Sequence, residues 1–493
     1  MVKKFLVSVV VLFLLCLSNI ACNGHYGSKV KITILHMNDV YEIDPVSGGK
    51  EGGLARVATL RDTLLKSNPN TITVLAGDLF SPSALGTAPY EGGRLDGKQI
   101  VAVMNTLGLD YMIFGNHEFD IKRGSFYDRL KESEFKWISS NVFDENGKPF
   151  PGVEDTRIIE FDGIKVGIFS LTITMNTKDY VSYQDPFEIA KKKVAELRPK
   201  VDILIAMTHL TYEDDIKLTK KFPEIDMIMG GHEHENMQYW RGKNYTPIFK
   251  ADANARTVYI HNLEYDKGAE KKLTIDSKLE LITNSLPDQE KTAKVVEKWR
   301  NIGYDGFRKA GFEPTEQVTT TNVDLDGLEA SIRNFPTTLT EIIAQSMLTV
   351  SEGAQLSFYN SGSIRIDDII PAEKITQYDV LRILPFGGDI VTTKIKGLLL
   401  KRTLDQGLSN KGTGAYLQKG NVTGGDGKPW MIGGKELDGN ATYTAATTKF
   451  LLEVGDDNLE FLVNNPDVPI IENKGDVRDA LIKQLKITFG KAK

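Results

Sequence analysis

The sequence predicts an α/β protein built in two halves and joined by a helix. Three observations carry that prediction. In the first half, short apolar runs alternate with amphipathic helical patterns, as in stacked βαβ units. Five of those runs end in Asp, Asn or His close to glycine. Beyond about residue 316 the pattern changes to helices mixed with short strands and Gly-rich turns, as in an α+β domain. At 493 residues the chain also exceeds the size of one ordinary domain.

The N-terminus reads as a targeting signal. Lys3 and Lys4 precede an apolar run over residues 5–17, shorter than the ~20 residues that span a bilayer. Ile20-Ala21-Cys22 resembles a bacterial lipobox closing a signal segment over 1–22, which would make Cys22 the lipidated N-terminus after removal of the residues before it; plain cleavage after Ala21 is the alternative. Both predict export to the periplasm or cell envelope, with membrane contact only through the lipid. Cys16 falls in the removed segment, so Cys22 has no intramolecular disulfide partner, and stability must come from packing and ligands. A net charge of −6 without basic blocks excludes recognition of nucleic acid through a cationic surface. No feature points to a protein partner. An anionic substrate would require a local source of positive charge.

In the first half, strands are expected over 32–35, 71–75, 111–114, 202–207 and 225–229, and helices over 53–67, 98–107 and 187–197. The strands lead to Asp39, to Gly77-Asp78, to Asn116, His117 and Asp120 in GNHEFD, to His209, and to His232 and His234 in GGHEHE. Ligands gather beyond the carboxyl ends of strands in open α/β sheets, so side chains distant in sequence converge there. A single Asp after a strand is ordinarily a cap or turn residue, and a single His is ordinarily structural. His25, His36 and His261 are read that way. Four of the seven histidines nevertheless fall in the strand-end motifs. Asp, Asn and His suit zinc, manganese or ferrous iron. Six such residues are too many for one four-coordinate ion, and two divalent ions sharing a carboxylate fit better.

The ordered set ND, GD, GNHE, H and GGHEH resembles the calcineurin-like metallophosphoesterases, and specifically the exported 5'-nucleotidase and UDP-sugar hydrolase family, over nearly the whole mature chain. The resemblance implies a four-layer αββα sandwich over 29–276, a connector helix within 277–315 and a substrate-binding domain over 316–493. It implies that Asp78 bridges two ions, with Asp39 and His234 on one and Asn116, His209 and His232 on the other. It makes His117, oriented by Asp120, the catalytic dyad. Two ions about 3.5–4 Å apart clamp both sides of an in-line displacement at phosphorus, which explains the residue types.

One position departs from the family pattern. Where the family reads Asp-x-His, this chain has Asp39-Val40-Tyr41. A phenol with an unperturbed pKa near 10 is a poor zinc ligand unless the ion displaces its proton. Tyr41 is read as a ligand for a harder ion, as a residue that leaves its place to water, or as a packing aromatic beside which Glu42 enters the shell.

Residues 287–307 read as a charged amphipathic helix, the expected connector. In the second half the resemblance rests on FYNSGSIR, ITQYDVLRILPFGG, GAYLQ and TKFLLEVGDD. It implies that Asn360 and Arg365 meet the substrate phosphate, that Tyr416 and Phe450 sandwich a base, and that Asp456 accepts the ribose hydroxyls. Ser361, Ser363 and Val454 stand where the family tends to have glycines. The stretch 420–427, GNVTGGDG, lacks the Lys-Ser/Thr ending of a P-loop and reads as a hairpin loop. Removal of the 5'-phosphate from nucleotides is the leading expectation. Hydrolysis of UDP-sugars or 2',3'-cyclic nucleotides, or nucleotide binding with hydrolysis lost through Tyr41, are its rivals.

Overall fold

The computed structural model describes residues 29–175, 177–270 and 272–490. The expected leader, with Cys22 and His25, lies outside the described residues. In the first half a seven-stranded sheet has the spatial order Val153–Glu154, Lys136–Ile138, Tyr111–Ile113, Thr71–Leu75, Lys29–Met37, Thr257–Asp266 and Leu273–Leu281. Its first five strands are parallel and its last two antiparallel. A six-stranded sheet runs Thr156–Phe161, Ile164–Thr172, Ile203–His209, Met227–Gly230, Thr246–Lys250 and Met237–Arg241, with its four central strands parallel.

The period-2 alternation of strand side chains decides how these sheets stack. Ile32, Ile34, Ile72 and Val74 share a buried cluster with Ile203, Ile205, Met207 and Met229 of the other sheet. Leu35, Met37 and Leu75 point the other way, onto a cluster that includes residues of helices Leu54–Ser67 and Lys98–Leu107. Leu204 and Ala206 likewise meet helices Pro186–Leu197 and Tyr212–Lys221. Helix, sheet, sheet and helix therefore form the four expected layers. Each fully buried Ile or Leu contributes about 1.5–3 kcal/mol. A one-residue slip of Lys29–Met37 would exchange both faces at once, so register is tightly specified.

The expected helices form with local signals at their ends. Gly53, at φ 95°, precedes Leu54–Ser67, and Asp185 caps Pro186–Leu197 by accepting from the N–H groups of Phe187 and Glu188. The connector spans Glu290–Lys309 rather than 287–307, because Gln289 is extended and the chain ends its helix only before Gly311 at φ 95°. It is no free linker. Val296, Trp299 and Phe307 are buried in the same cluster as the first half's helices.

The second half holds a five-stranded sheet ordered Leu417–Gly420, Leu356–Asn360, Thr442–Thr448, Asp389–Lys396 and Ile470–Asp476, mostly antiparallel. Residues of Thr338–Val350 and Val477–Phe489 pack in one cluster, and residues of Gly397–Ser409 in another. The expected hairpin loop is itself partly strand: Val422–Gly425 pairs with Lys428–Ile432. Among the described residues no helix is long and apolar enough to cross a membrane.

Candidate metal centre and active site

The tips of the parallel strands are tied together by backbone. Ala76 N–H donates to Met37 O, Asp39 N–H to Gly77 O and Val40 N–H to Asp78 O. Tight turns make this possible. A Cβ on Gly77, at φ 86°, would lie 2.4 Å from His209 Nδ1, and one on Gly115 would lie 2.1 Å from Asp78 Oδ1. Asp39, Asp78, His232 and His234 themselves have φ of 53°, 61°, 93° and 62°. Left-handed backbone at four non-glycine residues is costly and clusters at functional sites.

These turns bring ligand atoms of Asp39, Asp78 and His209 within 4.8 Å of one another, all buried. His209 Nε2 is 3.2 Å from Asp78 Oδ2 and 3.8 Å from Asp39 Oδ1, and His234 Nε2 is 3.4 Å from Asp39 Oδ1. His232 is half-buried, its ring 5.3 Å from that of His209 and its N–H donating to Asp39 Oδ2. Asn116 is buried at the start of the turn His117–Asp120.

The site accommodates cations on its own chemistry. His209 Nδ1 lies 2.8 Å from Ala76 O, which only accepts, so Nδ1 carries the proton and Nε2 turns its lone pair toward two carboxylates. Only a positive charge reconciles that arrangement. Without a metal ion it must be a proton: burial pushes the His209 pKa down, but Asp78 and Asp39 overcome it and raise it to about 9. A divalent ion meets the same demand, and the Asp and His donor set suits it.

Tyr41 is at the centre of this cluster. Its buried hydroxyl lies 3.3 Å from Asp39 Oδ1, 3.1 Å from Asp78 Oδ2 and 3.0 Å from His234 Nε2. Burial, with Asp78 and Asp39 beside it, holds the phenol pKa well above its usual value. Glu42 points elsewhere, within 3.5 Å of Tyr378 Oη.

His117 Nδ1 and Asp120 Oδ2 are 2.6 Å apart, and Ser81 donates to the same carboxylate oxygen at 3.1 Å. Burial lowers the His117 pKa, but Asp120 and Asp78 more than offset it, favouring the imidazolium. His117 N–H also donates to Asp78 Oδ1 at 2.8 Å, so dyad and metal cluster share one turn.

From the second half, Arg365 reaches this site. Its Nε is buried without a hydrogen-bond partner among the described residues, and its charge is felt at both His117 and Asp120. Asn360 Nδ2 donates to Asp456 Oδ2 at 2.7 Å, and Ser363 donates to Asn360 Oδ1 at 2.7 Å. Phe450 is 43% exposed, but Tyr416 is only 4% exposed, with the Lys419 ammonium 5.2 Å from its ring centre. Tyr416 lies immediately before the edge strand Leu417–Gly420 of the five-stranded sheet. Phe386 of LPFGG is also exposed, at 45%, with the Arg365 guanidinium 5.9 Å from its ring centre.

Sequence reading missed three further residues. Glu118, fully buried, accepts from the N–H groups of Asp78, Leu79 and Gly115 and so holds two ligand loops in register; the GNHE motif displayed it. Lys250, also buried, binds Asp215, Glu233 and Leu210 O beneath the GGHEHE loop. Asp367 crosses from the second half to His234 Nδ1 at 2.9 Å. No local signal in sequence announces a contact across 133 residues.

Comparison with known proteins agrees with this fold. Residues 32–236 match the calcineurin-like phosphoesterase family and residues 317–463 match the 5'-nucleotidase C-terminal domain. A trifunctional nucleotide phosphoesterase of Bacillus subtilis is 28% identical over 78% of this chain, a match spanning 28% of that protein's own length. A 5'-nucleotidase of Vibrio cholerae is 27% identical over 86% of this chain and 85% of its own. The crystal structure of a 5'-nucleotidase precursor from Thermus thermophilus, 24% identical, has the same fold, with a TM-score of 0.77 over 93% of this chain and 97% of that one.

Proposed function

Because this chain belongs to the family that joins a calcineurin-like phosphoesterase domain to a 5'-nucleotidase C-terminal domain, we propose that it is an exported, dinuclear-metal phosphohydrolase that removes the 5'-phosphate from nucleotides. The single observation that carries the reading is one buried cluster, in which ligand atoms of Asp39, Asp78 and His209 lie within 4.8 Å of one another and the Tyr41 hydroxyl lies within 3.3 Å of Asp39, Asp78 and His234, with the His117/Asp120 dyad on the adjoining turn. Asp39, His234 and Tyr41 would hold one ion and Asn116, His209 and His232 the other, with Asp78 shared. Two divalent ions there, of zinc, manganese or iron, would supply charge neutralisation at the phosphoryl oxygens and a nucleophilic water at neutral pH.

The chain's own groups do the rest. Arg365 and Asn360 receive the phosphate, the guanidinium offering a forked pair of donors. His117, charged because Asp120 faces Nδ1, presents Nε2–H to the leaving oxygen as general acid. Phe450 stacks the base, with Tyr416 or the more exposed Phe386 opposite it, and Asp456 accepts from the ribose. Export and lipidation at Cys22 belong to the same proposal, and mass spectrometry of the N-terminal peptide tests them.

The test is phosphate release from AMP after reconstitution with Zn²⁺, Mn²⁺, Mg²⁺ or Fe²⁺ in parallel, beside UDP-glucose and 2',3'-cyclic AMP at one enzyme concentration. AMP is expected to be hydrolysed with at least one metal, and His117→Ala to be slower by about 10²–10⁴-fold. Nucleotide binding without phosphate release under any metal would overturn the assignment.

A further inference from the structure

The two candidate histidine ligands with a resolved partner on Nδ1 are oriented by groups from different halves of the protein. A metal-ligating imidazole is held in the right tautomer and orientation by an acceptor on its other nitrogen. For His209 that acceptor is Ala76 O, at 2.8 Å and within the same sandwich. For His234 it is Asp367 Oδ2, at 2.9 Å, contributed by the second half. His234 Nδ1 is 3.8 Å from the carboxylate of Glu329 and makes no shorter contact there.

Asp367 is fixed for this task. Its other oxygen accepts from Glu329 N–H at 2.9 Å, Arg256 stands 3.8 Å away, and its backbone takes φ 39°. The next residue, Asp368, buried beside it, accepts from both N–H and hydroxyl of Ser47 at 2.9 Å and from Arg382 at 3.0 Å. The adjacent acids therefore divide the junction. Asp368 fastens the second half to the loop after Tyr41, and Asp367 reaches past it to the back of His234.

From this geometry we infer that Asp367 is a positioning residue for the metal centre: it sets the tautomer of His234 from across the junction, so that one ion's ligand shell is complete only when both halves contribute. With Nδ1–H donated to a carboxylate, the lone pair of Nε2 faces Asp39 and Tyr41. Without that acceptor the ring has no reason to hold this tautomer or this rotation. The inference rests on the proposed metal site and adds a residue to it.

Mn²⁺ affinity of the metal-free full chain, read from the free-ion electron paramagnetic resonance signal, tests it independently of turnover. Asp367→Ala is expected to weaken one site by about 10–100-fold, the usual effect of removing such an acceptor. Asp367→Asn, whose amide oxygen still accepts, is expected to weaken it less, and Asp368→Asn, which keeps an acceptor for Ser47 and Arg382 and does not touch His234, to leave affinity close to that of the unaltered chain. Unchanged affinity in Asp367→Ala, or an equal loss in Asp368→Asn, would overturn the positioning role while leaving the metal site intact. Absence of Mn²⁺ binding by the unaltered chain would instead overturn the metal-site reading beneath it.

Discussion

The hydroxyl of Tyr41 lies within 3.0–3.3 Å of two carboxylates and an imidazole that would otherwise face one another directly. A phenol in that place is a hydrogen-bond donor when no ion is bound and, once deprotonated, a hard oxygen ligand. Tyr41→Phe removes both possibilities and is expected to lower affinity for one of two ions by at least about tenfold; Tyr41→His is expected to shift preference toward zinc. Competition between Zn²⁺ and Mn²⁺ for the metal-free variants measures both, and equal competition in all three chains would return Tyr41 to a packing role. At this scale much was legible in the sequence. Asp39, Asp78, His209, His232 and His234 were identifiable because each follows a strand, and strand ends converge by topology alone. That Tyr416 is buried while Phe386 and Phe450 are exposed was not legible, because aromatic identity does not report exposure. Asp367 was invisible because its role exists only once the two halves meet.

Helix ends show how local sequence fixes element boundaries and how a charge at a cap responds to pH. Asp476 caps Val477–Phe489 by accepting from Arg478 N–H at 2.8 Å, and the Arg478 guanidinium binds both its oxygens. Burial alone would raise the Asp476 pKa, but Arg478 holds it below its usual range. A carboxylate with a depressed folded-state pKa contributes stability that is present above its unfolded value, near 3.9, and lost as pH falls through the folded value. Asp476→Ala is expected to cost about 1 kcal/mol at pH 7, with the difference shrinking as pH falls below about 4. Urea unfolding of both chains at pH 7 and pH 3 measures it, and a difference that stays constant would contradict the assignment to this carboxylate. The expected helices 98–107 and 187–197 agreed with the structure to within one residue because Gly97, Gly108 and Asp185 mark their ends. The connector shifted because 287–289 carries helix-compatible residues but an extended backbone at Gln289.

At the scale of the whole molecule, the first half carries the proposed metal ligands and dyad, while from the second Asp367 reaches His234 and Arg365, over the ring of Phe386, is felt at Asp120. The helix Glu290–Lys309 is packed on the first half, and Tyr304 on it meets Tyr378 of the second with ring centres 4.9 Å apart. We propose domain boundaries at 29–276, 277–315 and 316–493, with any relative movement of the halves pivoting near this aromatic contact. The four-layer sandwich was legible because two strand faces and two sets of helices leave few other ways to bury them; the packing of the two halves on each other was not. The central claim is that two ions, held by residues of five strand tips, carry phosphomonoester hydrolysis. The most direct measurement is a titration of Mn²⁺ into the metal-free chain while phosphate release from AMP is followed. The account predicts that activity appears fully only with the second equivalent; full activity at one equivalent, or the same rate without metal, would contradict it.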